Sequence, residues 1–219
     1  MGEHSAKLRL ISRWQNSAGE RVRIALHLKR IDFDYVPRQS LSAADFLAIN
    51  PQGLLPVLQI DGRAIAQSSA ILEYLEETRR EVPLLPADGI LRAQARAFAA
   101  HITAEMHSLT VSRVRGFLRD RLGAGDEGVA TWVQHWIGSG LAALEAMLAA
   151  REANFRFCFG DRPGWADLHL VPQLAAARRL GCDLSPHRRL LAIEALCESI
   201  EAFVKARPEN QPDYPGPPD

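Results

Sequence analysis

Several features that mark particular classes of protein are scarce or missing in this sequence. Only three of its 219 residues are cysteines, and Cys158, Cys182 and Cys197 form neither a C-x-x-C pair nor a metal-binding spacing with histidine. We therefore expect buried thiols in a reducing compartment, with no disulfide and no metal site. Neither sign of charge prevails, because 26 Lys and Arg balance 26 Asp and Glu. The composition thus favours neither nucleic acid nor an anionic membrane surface as a partner.

Long hydrophobic runs are missing as well. No window approaches the roughly 18 apolar residues of a membrane-spanning helix. Residues 1–7 are polar and charged and lack the apolar core of a secretory signal. We therefore expect a cytoplasmic protein without a membrane partner. With 47% hydrophobic residues, the chain can still bury a substantial core in one or two domains.

The first part of the chain alternates short strand and helix patterns. The predicted strands are residues 8–12, 33–36, 56–60 and 64–66, and the predicted helices are residues 18–29, 42–49 and 69–78. Asp61 and Gly62 form a hairpin turn signal between the last two strands. The order β-α-β-α-β-β-α is too small for a Rossmann domain, and no G-x-G-x-x-G is present.

A change of pattern follows. Residues 79–88 contain two prolines and several charges, which indicates a linker. Apolar residues at helical spacing then predict helices at residues 91–118, 130–150, 165–180 and 190–207. The tail from Pro208 has five prolines in twelve residues, so we expect it to be irregular and to lie along the surface.

The first candidate site is Asn16 and Ser17, where a predicted strand leads into a predicted helix. The first N–H groups of a helix have no acceptor within it, and the helix dipole favours negative charge there. A thiolate or carboxylate would be stabilised at this point, with a hydrogen bond from either side chain. The same residue types are typical helix caps, so a purely structural role fits them as well.

Two further features suit a small peptide-like anion. If the Leu55–Pro56 bond is cis, the Leu55 backbone faces outward, and its N–H and C=O can pair with an extended peptide. Gln67 and Ser68 precede a predicted helix, where a hydroxyl, an N–H group and the helix dipole can receive a carboxylate. A trans bond at Pro56 and a simple cap at Ser68 are the alternatives.

Together and in this order, these features resemble the glutathione transferase family, in particular its zeta class and the maleylacetoacetate and maleylpyruvate isomerases. The similar runs in the first part of the chain are RVRIAL at 21–26, NPQGLLP at 50–56 and QSSAILEYLEE at 67–77. Those in the rest are GD at 160–161, ADL at 166–168, VPQ at 171–173, ARR at 177–179, CDL at 182–184 and QPD at 211–213. The resemblance therefore covers nearly the whole chain.

The resemblance implies the glutathione transferase fold, which is α/β plus all-α. A thioredoxin-like, glutathione-binding domain would occupy residues 1–84, and an all-helical domain that forms the substrate site would occupy residues 85–219. It also implies a homodimer and glutathione as the cofactor. Leu55, beside a cis-Pro56, would pair with the cysteinyl backbone of glutathione. Gln67 and Ser68 would hold its γ-glutamyl carboxylate.

The sequence departs from the family pattern at the first helical turn. Zeta-class enzymes carry a Ser-Ser-Cys or similar signature there, and its leading serine is the expected thiolate donor. Aligning the RVR run places Asn16 at that serine, Ser17 second and Ala18 at the cysteine. Asn16 and Ser17 are thus the candidate catalytic residues. A second departure is Gly164, where the family has a serine or threonine that caps a helix with Asp167.

The candidate substrate-binding residues are Arg179, His107 and Arg113. Arg179 matches a family position that receives the carboxylate of an acidic substrate, whereas its neighbour Arg178 reads as a surface partner for a nearby carboxylate. His107 and Arg113 lie on the predicted helix at residues 91–118, near polar and basic positions of related isomerases. A core or surface role fits His107 equally well, and a solvent-exposed role fits Arg113.

The expected function is a glutathione-dependent cis–trans isomerase of small acidic substrates of the maleylacetoacetate or maleylpyruvate type. A general glutathione transferase or peroxidase acting on electrophiles is the first alternative. A protein that binds glutathione or a partner without catalysis is the second, and the departure at Asn16 and Ala18 is its motivation.

Overall fold

A computed structural model of the chain describes residues 7–217 and separates them into two compact units. The first unit contains the described residues up to Pro83 together with those from Ser199 onward. The second is Leu84–Glu198. The predicted division at residues 84 and 85 placed the C-terminal segment in the second domain, whereas here that segment groups with the first unit.

The first unit is built on a four-stranded sheet. Its strands are β1 (Leu8–Ser12), β2 (Asp34–Pro37), β3 (Val57–Ile60) and β4 (Arg63–Ala66), in the order β2-β1-β3-β4. The β1–β2 pair is parallel, and the β1–β3 and β3–β4 pairs are antiparallel. All four predicted strands are therefore confirmed, with ends that differ by a residue or so.

Three helices complete the thioredoxin-like order of the first unit. They are α1 (Ser17–Leu28), α2 (Ala43–Ile49) and α3 (Ser68–Thr78). The predicted cap of α2 is confirmed, because Ser42 Oγ accepts from the Asp45 N–H at 3.1 Å. Ile11, Phe46 and Val57 form a fully buried apolar cluster between sheet and helix. The α/β class predicted for this part of the chain is thus correct.

A buried ion pair links the end of α1 to the end of α3. The side chain of Lys29, directly after α1, is 1% exposed, and its Nζ lies 2.7 Å from Glu76 Oε2. The same ammonium group donates to the carbonyl oxygens of Arg79 and Val82, each at 2.8 Å. Since an uncompensated buried charge costs about 3–5 kcal/mol, these partners are needed to keep Lys29 inside the unit.

All regular elements of the second unit, within its described residues, are helices. Its helices are α4 (Gly89–Ala100), a π-helical stretch (His101–His107), α5 (Ser108–Thr110), α6 (Ser112–Leu122), α7 (Gly125–Ala149), α8 (Trp165–Arg179) and α9 (Arg188–Glu198). The predicted all-α class of this part is therefore confirmed. Between residues 7 and 217, no helix combines the length and hydrophobicity needed to cross a membrane.

The single helix predicted over residues 91–118 is interrupted. Val111 has an extended backbone (φ −65°, ψ 157°), so α5 ends there and α6 begins at the next residue. Side-chain donors satisfy the carbonyls left at the break, because Trp132 Nε1 donates to Leu109 at 2.8 Å and Arg115 Nε donates to Thr110 at 3.1 Å. Apolar periodicity continues across such a break, and it therefore gave no sign of it.

The helix predicted over residues 190–207 is also divided. It ends as α9 at Glu198, and a separate helix, α10 (Glu201–Ala206), follows after the extended residue Ile200. α10 belongs to the first unit, where it packs against α1. The three cysteines carry free thiols, with Cys158 and Cys197 buried as expected and Cys182 half-buried.

The start of α8 has no room for a side chain at its cap position. Asp167 Oδ2 accepts from the Gly164 N–H at 2.8 Å, which is the half of a capping box that a glycine can supply. The Trp165 N–H donates to the Leu84 carbonyl at 2.7 Å, so the backbone at Leu84 lies close to the start of α8. A Cβ added at Gly164 would lie 2.5 Å from the Leu84 oxygen. The glycine that departs from the family pattern is therefore required by this close approach.

We expect Gly164→Ala to lower the free energy of unfolding by about 1–3 kcal/mol, since the methyl group forces the Leu84 backbone to move. Urea denaturation of both proteins measures the difference. Gly160→Ala is the matched control in the same loop, because its added Cβ would meet only the Arg162 oxygen at 3.9 Å. Equal stability of the two variants would contradict the steric explanation.

Candidate active site

The candidate thiolate site lies where β1 leads into α1. Asn16 is the N-cap of α1, and its side-chain oxygen accepts from the Gly19 N–H, so the capping role is confirmed for this residue. Ser17 is the first helical residue and is 8% exposed. Its hydroxyl has no hydrogen-bond partner among residues 7–217. The cap therefore occupies the Asn16 oxygen and leaves the Ser17 hydroxyl available as a donor.

The first turn of α1 is tightly packed around these donors. A Cβ at Gly19 would lie 2.1 Å from Ser12 Oγ and 2.9 Å from Asn16 Oδ1, so only glycine fits there. Within the described chain, the N–H groups of Ser17 and Ala18 have no acceptor. Two backbone donors and one hydroxyl thus converge on the positive end of the helix dipole, which is an arrangement that stabilises an anion.

Charged side chains are buried in the same helix. Glu20 and Arg21 are 3% and 1% exposed, respectively. Burial lowers the pKa of Arg21 to about 10, and the nearby Glu20 charge opposes that shift. Since about 10 is still far above neutral pH, the Arg21 guanidinium keeps its positive charge.

Leu55 presents a backbone edge that fits a peptide. The Leu55–Pro56 bond is cis, as the resemblance implies. The preceding loop is fixed by Asn50, whose Nδ2 donates to the Leu54 carbonyl at 2.8 Å and whose Oδ1 accepts from the Gln52 N–H at 3.2 Å. Neither the N–H nor the C=O of Leu55 is hydrogen-bonded to another described residue. Both groups remain available for antiparallel pairing with an extended ligand.

Gln67 and Ser68 form a third set of donors. α3 begins at Ser68, one residue before the predicted start, and Gln67 occupies the cap position with a φ of 71°. A positive φ in a residue with a side chain costs about 1–3 kcal/mol. Residues with such strained backbones are found most often at functional sites. The Gln67 side chain donates to Gln52 Oε1 at 2.8 Å, so it does not cap α3.

The alternative of a simple cap does not apply to Ser68 either. Ser68 is 7% exposed, and its hydroxyl has no hydrogen-bond partner within the described chain. Since Ser68 lies at the N-terminus of α3, its hydroxyl adds to the backbone donors and the dipole of that helix. This set of donors suits a carboxylate.

The three candidate substrate-binding residues of the second unit lie on three different helical elements. Arg179 is the exposed last residue of α8. His107 is half-buried at the end of the π-helical stretch, and Arg113 is exposed on α6. The break at Val111 places His107 and Arg113 on different helices, which corrects the expectation of one shared helix. The substrate-binding roles of all three stay predictions.

Arg178 has the structural role expected for it. Its guanidinium donates to both carboxylate oxygens of Glu194 on α9. The hydrogen bonds to Glu194 raise the pKa of Arg178 above its ordinary value, and burial opposes this rise only partly. Arg178 therefore links α8 to α9.

Two residues at the thiolate loop were missed by the sequence analysis. Arg23 and Asp213 both contact the Trp14 backbone, just ahead of Asn16. Each lies in a run that carries the family resemblance, RVRIAL and QPD, but neither run indicates a contact with residue 14. That contact depends on the fold of the C-terminal segment, which its prolines alone do not predict.

The first unit thus offers three unpaired donor sets. The Ser17 hydroxyl suits a thiolate, the Leu55 backbone suits a peptide group, and the start of α3 suits a carboxylate. Glutathione is a small peptide with a thiol and two carboxylates. The three sets of unpaired groups therefore match the thiol, the peptide backbone and a carboxylate of glutathione.

Comparisons with known proteins agree with this arrangement. Residues 17–78 match the family described as "Glutathione S-transferase, N-terminal domain". The maleylacetoacetate isomerase of Rhizobium meliloti is 46% identical over 202 residues, which cover 90% of this chain and 93% of that protein.

Two solved structures are similar over nearly the whole chain. One is a holo structure of maleyl pyruvate isomerase, described as a bacterial glutathione S-transferase in the zeta class. It has a TM-score of 0.89 and 38% identity, and covers 94% of this chain and 99% of its own. The other is the maleylacetoacetate isomerase of Anaeromyxobacter dehalogenans with bound glutathione, with a TM-score of 0.86, 38% identity and coverage of 96% and 99%.

A thioredoxin-like unit with an all-helical unit is the fold of the glutathione transferases, and the similarities above narrow this class further. The chain belongs to the glutathione S-transferase family, within its zeta-class branch of maleylacetoacetate and maleylpyruvate isomerases.

We expect Ser68→Ala to weaken glutathione binding by about tenfold to a hundredfold, because a hydrogen bond to a charged group contributes about 1.5–3 kcal/mol. Isothermal calorimetry measures the dissociation constant. Ser69→Ala is the matched control, since Ser69 is the exposed next residue of α3. An unchanged affinity in Ser68→Ala would contradict the assignment of this hydroxyl to the carboxylate.

Proposed function

We propose that this chain is a glutathione-dependent cis–trans isomerase of small acidic substrates of the maleylacetoacetate or maleylpyruvate type. The unpaired Ser17 hydroxyl at the buried start of α1 is the observation that carries the proposal. A structural serine in this place would cap the helix, but Asn16 already does so. The names of the relatives support the same substrate class.

The catalytic part of the proposal rests on Ser17, assisted by Asn16. The Ser17 hydroxyl donates a hydrogen bond to the thiol sulfur in its ionised form and so lowers the thiol pKa. The amide nitrogen of Asn16 is a second donor at the same helix start, since only its oxygen is used by the cap. When bound, glutathione supplies the thiolate that adds to the conjugated double bond, permits rotation about it and is then eliminated.

The binding part of the proposal uses groups from three loops of the first unit. Leu55, beside cis-Pro56, pairs with the cysteinyl backbone, while Gln67 and Ser68 hold the γ-glutamyl carboxylate. Because the three loops lie on a rigid sheet-and-helix frame, the sulfur would be fixed relative to Ser17 before the substrate arrives. Such preorganisation lowers the entropic part of the barrier.

The substrate part of the proposal assigns the carboxylate of the acidic substrate to Arg179. The resemblance of the ARR run supports this choice, since Arg179 matches the family position that receives the carboxylate of an acidic substrate. His107 and Arg113 are further candidates for substrate contact. A planar guanidinium can hold a carboxylate through two hydrogen bonds and so orient the double bond.

The proposal also includes a homodimer in the cytoplasm. The family resemblance supports the dimer, and three cysteines without a C-x-x-C pair suit a reducing compartment. Neither nucleic acid nor a membrane is proposed as a partner, since positive and negative charges balance over the sequence.

The defining experiment is glutathione-dependent isomerisation of maleylpyruvate, followed by the appearance of the trans product. We expect turnover that requires glutathione, and an ultraviolet titration in which the bound thiol has a lowered pKa. Ser17→Ala should raise that thiol pKa by about one to two units, since the lost hydrogen bond to a charged group is worth roughly 1.5–3 kcal/mol. The rate at neutral pH should fall accordingly.

Asn16→Ser is the companion variant, because serine restores the leading residue of the family signature and is also a good cap. It should leave the thiol pKa close to that of the wild type. A large effect at residue 16 and none at residue 17 would reverse the two roles. Tight glutathione binding with an unshifted thiol and no turnover would instead support the non-catalytic alternative.

We expect Arg179→Ala to raise KM for an acidic substrate more than for a neutral electrophile, because only the acidic substrate loses a carboxylate partner. Steady-state kinetics with both substrates measures the ratio, and the neutral electrophile also tests general transferase activity. Arg178→Ala serves as the neighbouring control, with an expected loss of stability rather than a selective rise in KM. Equal effects of Arg179→Ala on both substrates would contradict its role.

A further inference from the structure

Trp14 lies in the loop between β1 and α1, two residues before Asn16, and side chains from elsewhere in the first unit hold both its polar backbone groups. The Trp14 N–H donates to Asp213 Oδ2 at 3.1 Å, and its carbonyl accepts from Arg23 Nη2 at 3.2 Å. Since the chain runs from Trp14 directly into the start of α1, the position of Trp14 limits where Asn16 and Ser17 can lie.

Asp213 links this loop to the sheet. Its second oxygen, Oδ1, accepts from the Tyr35 hydroxyl at 2.8 Å. Tyr35 belongs to β2 and pairs in register with Leu10 of β1. Burial and the hydrogen bond to Asp213 raise the pKa of Tyr35, so that it stays a hydroxyl donor at neutral pH. One half-buried carboxylate therefore joins an edge strand to the loop that precedes the thiolate site.

The C-terminal segment that carries Asp213 is itself anchored. Gln211 is buried, and its Nε2 donates to the carbonyl oxygens of Lys205 and Arg207, each at 2.8 Å. The ring of Tyr214 meets the ring of Trp14 edge-on, with 5.2 Å between centroids. Residues on both sides of Asp213 are thus fixed, which allows its carboxylate to act as a rigid support.

Arg23 reinforces the same connection from inside α1. Its guanidinium is fully buried and donates to the Ala206 carbonyl through Nε at 3.0 Å. Through Nη1 it donates to the Arg13 carbonyl at 3.4 Å. The loop and the end of α10 therefore share one cation as a donor. The C-terminal segment is consequently part of the frame around the helix start.

We propose that Asp213 is a positioning residue for the thiolate site, which acts through the Trp14 N–H to hold the loop so that the Ser17 hydroxyl meets the sulfur. This inference rests on the proposed function, because it assigns the thiolate to the start of α1. Without the Asp213 carboxylate, Trp14 keeps only its carbonyl bond to Arg23. The loop then gains freedom, and the average hydrogen bond from Ser17 to the sulfur weakens.

The test is an ultraviolet pH titration of the glutathione thiol bound to Asp213→Ala, without any substrate. We expect the thiol pKa to rise by about 0.5–1 unit toward that of free glutathione, which is part of the shift that loss of the Ser17 bond would cause. In the free protein, amide hydrogen exchange of residues 13–17 should become faster, because Trp14 loses its acceptor.

Two substitutions at the same position separate positioning from general damage. Asp213→Asn should keep most of the wild-type titration, because an amide can accept from the Trp14 N–H and donate to the Tyr35 oxygen. Asp213→Glu keeps the charge but displaces the carboxylate, and it should give an intermediate shift even if the alanine variant fails to fold. Asp34→Ala, next to Tyr35, is the control, since Asp34 pairs only at the surface with Lys7 at 2.9 Å.

A lowered thiol pKa in the wild type that is unchanged in Asp213→Ala and Asp213→Glu would overturn this inference alone. A wild-type bound thiol that titrates like free glutathione would overturn the proposed function, and this inference with it. A shift in Asp34→Ala as large as in Asp213→Ala would also overturn it, because the effect would not depend on the Trp14 contact.

Discussion

The start of α1 is the constraint on which the first unit depends. A helix must begin with unpaired N–H groups, and here the residues that carry them, Ser17 and Ala18, are each 8% exposed. Asn16 takes up the Gly19 donor, and the missing side chain at Gly19 lets Ser12 pack against the turn. The Ser17 hydroxyl and the N–H groups of Ser17 and Ala18 stay unpaired within the described chain, at the positive end of the helix dipole. The way the helix begins thus provides a place for an anion.

Unpaired polar groups are also present at the other two positions of the site. The Leu55 backbone and the Ser68 hydroxyl are also unpaired, and Gln67 holds a positive φ just before α3. Unpaired polar groups in three loops of one unit have a common explanation in one extended ligand. The strain at Gln67 is offset by the rigid elements on either side of it.

Much of this arrangement was predictable from local chemistry. The order of strands and helices along the first part of the chain, the cap at Ser42 and the donors at residues 16, 17, 67 and 68 follow from patterns that extend over a few residues. What the sequence concealed depends on distant contacts. The helix break at Val111 rests on donors from Trp132 and Arg115. The close approach at Gly164 rests on the Leu84 carbonyl, far away along the chain.

The C-terminal segment shows this difference most clearly. Its prolines predicted an irregular surface tail, and irregular it is, but Asp213 and Gln211 give it a fixed place in the first unit. Proline limits the backbone freedom of such a segment before folding, so less entropy is lost when a few hydrogen bonds fix it. A segment without regular structure can therefore support a helix start as firmly as a strand does. Arg23 of α1 and Asp213 of this segment meet at the Trp14 backbone, so the helix and the segment hold the loop between them.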